Sequence, residues 1–182
     1  QAFEPLGLLA EARRKVCFFP GSTLGNFAPN DACEMLKRMR DLVGEDGAVV
    51  LGLDLAKDSN AIQAAYNDPP GVTAAFNLNA LANLNRSVGT DFNLSQFRHD
   101  AVYLPEHHRV EMRLVSQTVQ TVTLDDEEFV IDQGEHLLTE YSHKYPLKMI
   151  DEMLQSAGLE RTSTWQDSQE WFAVLLAEPI SQ

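Results

Sequence analysis

The sequence predicts an α/β domain interrupted by an inserted, mostly antiparallel β module, and three observations carry that expectation. An apolar run at 16–19, a helical period through Ala32, Leu36, Met39 and Val43, and a second apolar run at 49–53 follow in the order strand, helix, strand. Apolar and polar residues then alternate with a period of two through much of 110–143. The helical period returns through Leu147, Ile150, Leu154 and Ala157.

The first strand follows the charged run Arg13, Arg14, Lys15, and Pro20 with Gly21 stops it. It opens into FFPGSTLGNF at 18–27, a loop that offers Ser22, Thr23 and Asn26. Open α/β sheets bind ligands beyond the carboxyl ends of their strands, so these groups stand where chemistry is usually found; a plain connecting turn is the competing reading. In the helix that follows, Asp31 and Glu34 have the spacing of a capping box, while Pro29 permits an earlier start. Gly44 and Gly47 bracket its exit. A strand, helix, strand unit of this length is a crossover, which predicts a parallel sheet covered by helices on both faces. Two strands need partners, supplied by residues before the first, by the C-terminal segment, or by both.

A polar helical stretch at 59–67 ends at the Pro69, Pro70, Gly71 break. Val110, Met112 and Leu114 alternate with Glu111 and Arg113, Val122 and Leu124 run into an acidic turn at 125–128, and Phe129 and Ile131 lead back. That turn reads as a charged hairpin end. A last strand of the module is expected at 136–143. After the C-terminal helix, which Gly158 terminates, strands are expected at 161–165 and 171–176. The boundaries that result are 1–55 for the first part of the α/β domain, 56–145 for the inserted module, and 146–182 for the helix and strands that return to the sheet.

An apolar content of 44% suffices for a good core in a chain of 182 residues. The formal net charge of -13 removes the phosphate neutralisation on which nucleic-acid binding rests. No apolar run approaches the roughly 20 residues that span a bilayer, so a soluble, cytoplasmic protein with no membrane partner is expected. Cys17 and Cys33 read as reduced core residues. His107 and His108 are adjacent, point to opposite faces if extended, and cannot share an ion, so no metal is expected. GSTLG lacks the G-x-S-x-G register of a serine nucleophile. The chain opens with Gln1 in place of Met, which suggests processing or truncation.

A set of motifs carries a specific resemblance: GSTLGN, DLAKD at 54–58, AAYNDPPGVTAAFNLN at 64–79, NR at 85–86, VEMRL at 110–114 and LLTEYSHKY at 137–145. In order and spacing the chain resembles the histidine-specific Nα-methyltransferases of ergothioneine biosynthesis, in their later portion. The resemblance implies a Rossmann-like methyltransferase sheet. It also implies methyl transfer from S-adenosylmethionine to the α-amine of histidine, ending at the betaine hercynine. The family's N-terminal substrate lid and early glycine-rich cofactor motif have no counterpart here, so the chain is expected to be a fragment, inactive alone and lacking most of the cofactor site. Leu78 departs from the basic residue expected there. A related enzyme acting on another amino acid, or a non-catalytic small-molecule-binding domain, are the alternatives.

The resemblance further implies Asn26 and Tyr66 on the substrate carboxylate, Glu140 and Ser142 on its imidazole, Met112 beside the ring, and Gly21 and Ser22 on the cofactor. An amide and a phenol can bind a carboxylate without a cation that would repel the amine or the sulfonium. In a regular strand Glu140 and Ser142 project together, about 7 Å apart, while Leu137, Thr139 and Tyr141 face the other way. Met112 lies on the apolar side of its own strand, where ordinary core packing is the better reading. No catalytic side chain or general base is identified, since in-line displacement at a sulfonium methyl needs position more than covalent chemistry. The protein is expected to act as a monomer on a small molecule.

Overall fold

The computed structural model describes residues 14–125 and 127–180; the expectations that fall on 1–13, on Asp126 of the acidic turn and on 181–182 lie outside the described residues. The chain divides into two compact units, one made of the residues up to Lys57 together with those from His143 onward, the other of Asp58–Ser142.

Among the described residues, the first unit is a four-stranded sheet with two α-helices. Strand β1 (Val16–Phe19) leads through the polar loop to helix α1 (Pro29–Val43) and strand β2 (Ala48–Asp54). β1 and β2 are parallel, with Val16 opposite Ala48 and Phe19 opposite Leu51. Pro29 occupies the first turn of α1 behind Ala28, and no side chain caps it. The expected Asp31 capping box is therefore a turn too late: Pro29 has its φ preset for helix, and its missing amide proton is one of the first-turn donors that would otherwise lack an intrahelical partner.

The C-terminal segment returns as helix α4 (Leu147–Ser156) and strands β8 (Leu159–Gln166) and β9 (Phe172–Pro179), and the sheet order is β1-β2-β9-β8. Both β2–β9 and β9–β8 are antiparallel. The expectation of an all-parallel sheet is thus corrected to a mixed one, because the short connection 167–171 can join β8 to β9 only as a hairpin. Asp167 holds that connection by accepting from the amides of Gln169, Trp171 and Phe172.

The register explains where the core sits. Cys17, Val49 and Ala177 fall in one row, and Phe19, Leu51 and Leu175 in the next. These rows pack against Ala32, Leu36, Met39 and Val43 of α1 and Ile150, Met153 and Leu154 of α4. Residues one position along face the other side, and there Val16 and Phe18 are exposed. Among the described residues, the helices of this unit cover one face of the sheet, where cover on both was expected. Cys17 and Cys33 are unbridged.

The second unit places helices α2 (Ser59–Tyr66) and α3 (Val72–Ser87) with strands β3 (Phe97–Leu104), β4 (Arg109–Ser116), β5 (Gln120–Leu124), β6 (Glu127–Ile131) and β7 (His136–His143). The sheet order is β3-β4-β7, with β5-β6 as a separate hairpin. Carboxylates start both helices: Asp58 accepts from Asn60 and Ala61, and Asp68 from Val72 and Thr73. His107 and His108 lie in the turn between β3 and β4, where His108 takes a left-handed φ of 48°, so they are not extended neighbours on one strand.

Candidate functional site

The loop between β1 and α1 is bound tightly to the end of β2. Gly21 and Ser22 both have positive φ, 77° and 58°, a conformation that is strained at a serine by about 1 kcal/mol. Two hydrogen bonds compensate: Ser22 N–H donates to the Gly52 carbonyl at 2.8 Å, and Asp54 N–H donates to Ser22 Oγ at 2.9 Å. Glycine at 52 suits this approach, since a Cβ there would press on Pro20 Cα and Gly21 N at 3.2 Å and force them to shift by a few tenths of an ångström. The turn Thr23–Asn26 follows, with Leu24 fully buried and Asn26 exposed.

Asp54, at the carboxyl end of β2, gathers two lysines. Its carboxylate accepts from Lys57 and, at 2.9 Å, from Lys144, whose residue is 1% exposed. A buried ammonium is tolerable only when so paired. Lys57 also lies over the Trp171 ring, 5.2 Å from its centroid. Beside this pair the chain presses the loop from below: His143 Nδ1 is 2.9 Å from the Gly25 carbonyl, and Tyr145 Oη donates to the Phe27 carbonyl at 3.1 Å. Burial pushes the Tyr145 phenol well above its ordinary value, so it remains a donor throughout the working pH range.

In the second unit a polar chain runs through the helical layer. Tyr66 Oη and Ser142 Oγ are 2.8 Å apart. The Tyr66 carbonyl, which can only accept, takes the Nε2 proton of His99 at 2.8 Å. His99 Nδ1 then accepts from Asn77 Nδ2 at 3.0 Å, and the same amide nitrogen donates to the Arg113 carbonyl at 3.1 Å. Thr139 donates to Asn77 Oδ1 at 2.5 Å. Asn77 is 2% exposed and every polar atom of its side chain has a partner, as a buried amide requires.

On β4, Glu111 receives Arg109 at 2.5 Å and Arg113 at 2.6 Å. Burial pushes its carboxyl up, but the bonds from Arg113 and Arg109 outweigh that and hold it below the ordinary range. The Arg109 guanidinium also covers Tyr141, 4.2 Å from the ring centroid.

The structure brings Tyr66 and Ser142 together in the second unit. It puts Met112 in a buried cluster with Ile62, Ala101 and Val110, against which Tyr66 packs, and leaves Glu140 half-buried on β7. Asn26, Gly21 and Ser22 belong to the loop of the first unit. Along β7, Leu137 packs against the cluster that holds Leu81, Phe97 and Leu114, Thr139 meets Asn77 of α3, Ser142 meets Tyr66 of α2, and Tyr141 lies under Arg109. Sequence reasoning passed over Asp54, His99, His143, Lys144 and Tyr145. For Asp54, His143, Lys144 and Tyr145 the available signal was their place inside DLAKD and LLTEYSHKY, where charged and aromatic residues crowd the ends of apolar strands; His99 lies outside both motifs.

Comparison with known proteins agrees over almost the whole chain. Residues 2–179 match the family described as histidine-specific methyltransferase, SAM-dependent. The chain is 38% identical over 176 residues to a histidine N-alpha-methyltransferase of Mycolicibacterium smegmatis, covering 96% of this chain and 55% of the relative. Identity to the protein of that name from Mycobacterium tuberculosis is 35% over 176 residues, with the same 96% and 55% coverage. Ergothioneine biosynthesis protein 1 of Neurospora crassa is 31% identical over 169 residues, which cover 91% of this chain and 19% of that protein. The chain therefore spans about half the length of the two bacterial relatives. By this extended match the chain belongs to the S-adenosylmethionine-dependent, histidine-specific methyltransferase family.

Proposed function

We propose that the protein containing this chain transfers methyl groups from S-adenosylmethionine to the α-amine of L-histidine, ending at hercynine on the route to ergothioneine, and that it does so as a cytoplasmic monomer. The observation that carries the reading is the match of residues 2–179 to the histidine-specific family. The hydroxyl pair Tyr66–Ser142 at 2.8 Å supports it from geometry, since two groups assigned to one small substrate stand within reach of each other.

In this reading the segment 56–145 is the substrate-binding module, and Asn26 and Tyr66 bind the substrate carboxylate. Glu140 and Ser142 bind the imidazole, and Met112 closes the apolar wall beside it. Gly21 and Ser22 face the cofactor. A Cβ on Gly21 would have nothing nearer than 3.8 Å, which leaves the loop open there, and Ser22 Oγ, having accepted from Asp54, keeps a proton to donate. S-Adenosylmethionine supplies an electrophilic methyl group. The chain's own task is to hold the neutral amine with its lone pair on the line of the sulfur–carbon bond that breaks, while the ammonium proton leaves to solvent. A carboxylate that expects an imidazole N–H is orphaned by an analogue lacking one, at a cost of roughly 1 to 3 kcal/mol or more.

Methyl incorporation by the full-length protein, followed by mass spectrometry over a panel of amino acids, tests this. Histidine should gain up to three methyl groups and outrun the rest; faster methylation of any other amino acid would overturn the substrate assignment.

A further inference from the structure

We propose that His143 and Tyr145 are positioning residues that fix Asn26 by anchoring the main chain on both sides of it. Asn26 is preceded by Gly25 and followed by Phe27. The Gly25 carbonyl is 2.9 Å from His143 Nδ1, and the Phe27 carbonyl accepts from Tyr145 Oη at 3.1 Å. A carbonyl cannot donate, so His143 carries its proton on Nδ1. The two anchoring rings are stacked on each other, with centroids 5.1 Å apart and planes 5° from parallel, and both residues are buried. They therefore act as one rigid prop under the loop.

The approach is as close as the backbone permits. A Cβ on Gly25 would lie 2.6 Å from the His143 carbonyl oxygen, so residue 25 must be glycine for the turn to rest here. Gly25 N–H is held in turn by the Ser22 carbonyl at 2.9 Å, and Phe27 N–H by Leu24 at 3.2 Å. The result is an exposed amide on a fully fixed main chain. Preorganisation of this kind matters in displacement reactions, where an error of about 1 Å in the bound substrate costs orders of magnitude in rate. The inference rests on the assignment of Asn26 to the substrate carboxylate.

The test compares histidine affinity and S-adenosylmethionine affinity in variants of the full-length protein. Tyr145→Phe and His143→Phe each remove one donor and keep the ring. Each should weaken histidine binding about 3- to 10-fold, with cofactor affinity changed less than about twofold. His143→Asn, whose amide nitrogen falls near the place of Nδ1, should recover most of the loss. On an Asn26→Ala background Tyr145→Phe should no longer matter, because the prop then has nothing to position. An equal loss with and without Asn26 would overturn the inference while leaving the Asn26 assignment intact. If Asn26→Ala alone left histidine affinity unchanged, the assignment would fail and the inference with it. Should His143→Phe not fold, Tyr145→Phe still decides, since it deletes a single oxygen.

Discussion

Tyr66 Oη and Ser142 Oγ share a hydrogen bond of 2.8 Å across 76 residues of sequence, tying the end of α2 to the end of β7. In the proposed reading the two hydroxyls serve opposite ends of one substrate, the carboxylate and the imidazole, and on that reading their contact couples the two halves of recognition.

The coupling predicts non-additivity. Tyr66→Phe and Ser142→Ala should each lower kcat/KM for histidine by about 3- to 10-fold, and the double variant should lose less than the product of the two. Steady-state kinetics on all four proteins checks this, and simple multiplication would show that the bond has no part in binding.

Asn77 is the keystone of the buried network. Asn77→Ala leaves the Thr139 hydroxyl, His99 Nδ1 and the Arg113 carbonyl without this partner. At about 1 to 3 kcal/mol for an orphaned buried group, the variant should lose on the order of 3 kcal/mol of stability in urea unfolding. Thr139→Val should lose about 1 kcal/mol.

The start of α3 should be acid-sensitive. Hydrogen bonds from the Thr73 side chain, the Thr73 amide and the Val72 amide hold the Asp68 carboxyl down to about 2, from an ordinary 3.8. A depressed carboxyl contributes its full stabilisation above the unfolded value and loses it as pH falls toward the folded one. Asp68→Asn should therefore melt below the native protein at pH 6, and the gap should shrink from about pH 4 down to about pH 2. A gap independent of pH would mean that the charge plays no part.

Much of the first unit is legible from periodicity. Ala32, Leu36, Met39 and Val43 form the buried stripe of α1, and β1 runs over 16–19 as its apolar run predicts. Helix α3 escapes that reading because its apolar residues do not gather on one face. Val72 and Phe76 are 69% and 65% exposed, while polar Asn77 is buried. Strand β3 escapes because Phe97 and Ala101, four apart, are its buried residues. The antiparallel return of β8 and β9 depends on a short turn, which a rule for parallel crossovers does not address. Within the candidate site, motif resemblance names Tyr66, Glu140 and Ser142, but no spacing reveals that Tyr66 meets Ser142 or that His99 bonds to the end of α2. These relations are tertiary, set by which helix lies against which strand.

Histidine recognition itself is tested most directly at Glu140, by measuring kcat/KM for histidine and for ring analogues in the full-length Glu140→Ala protein. Loss of a charge-assisted hydrogen bond in a closed site should lower kcat/KM for histidine by about 10- to 1000-fold, and selectivity over analogues lacking a ring N–H should fall with it. Unchanged turnover and unchanged selectivity would contradict the assignment of this strand to the imidazole, and with it the proposal that histidine is the substrate.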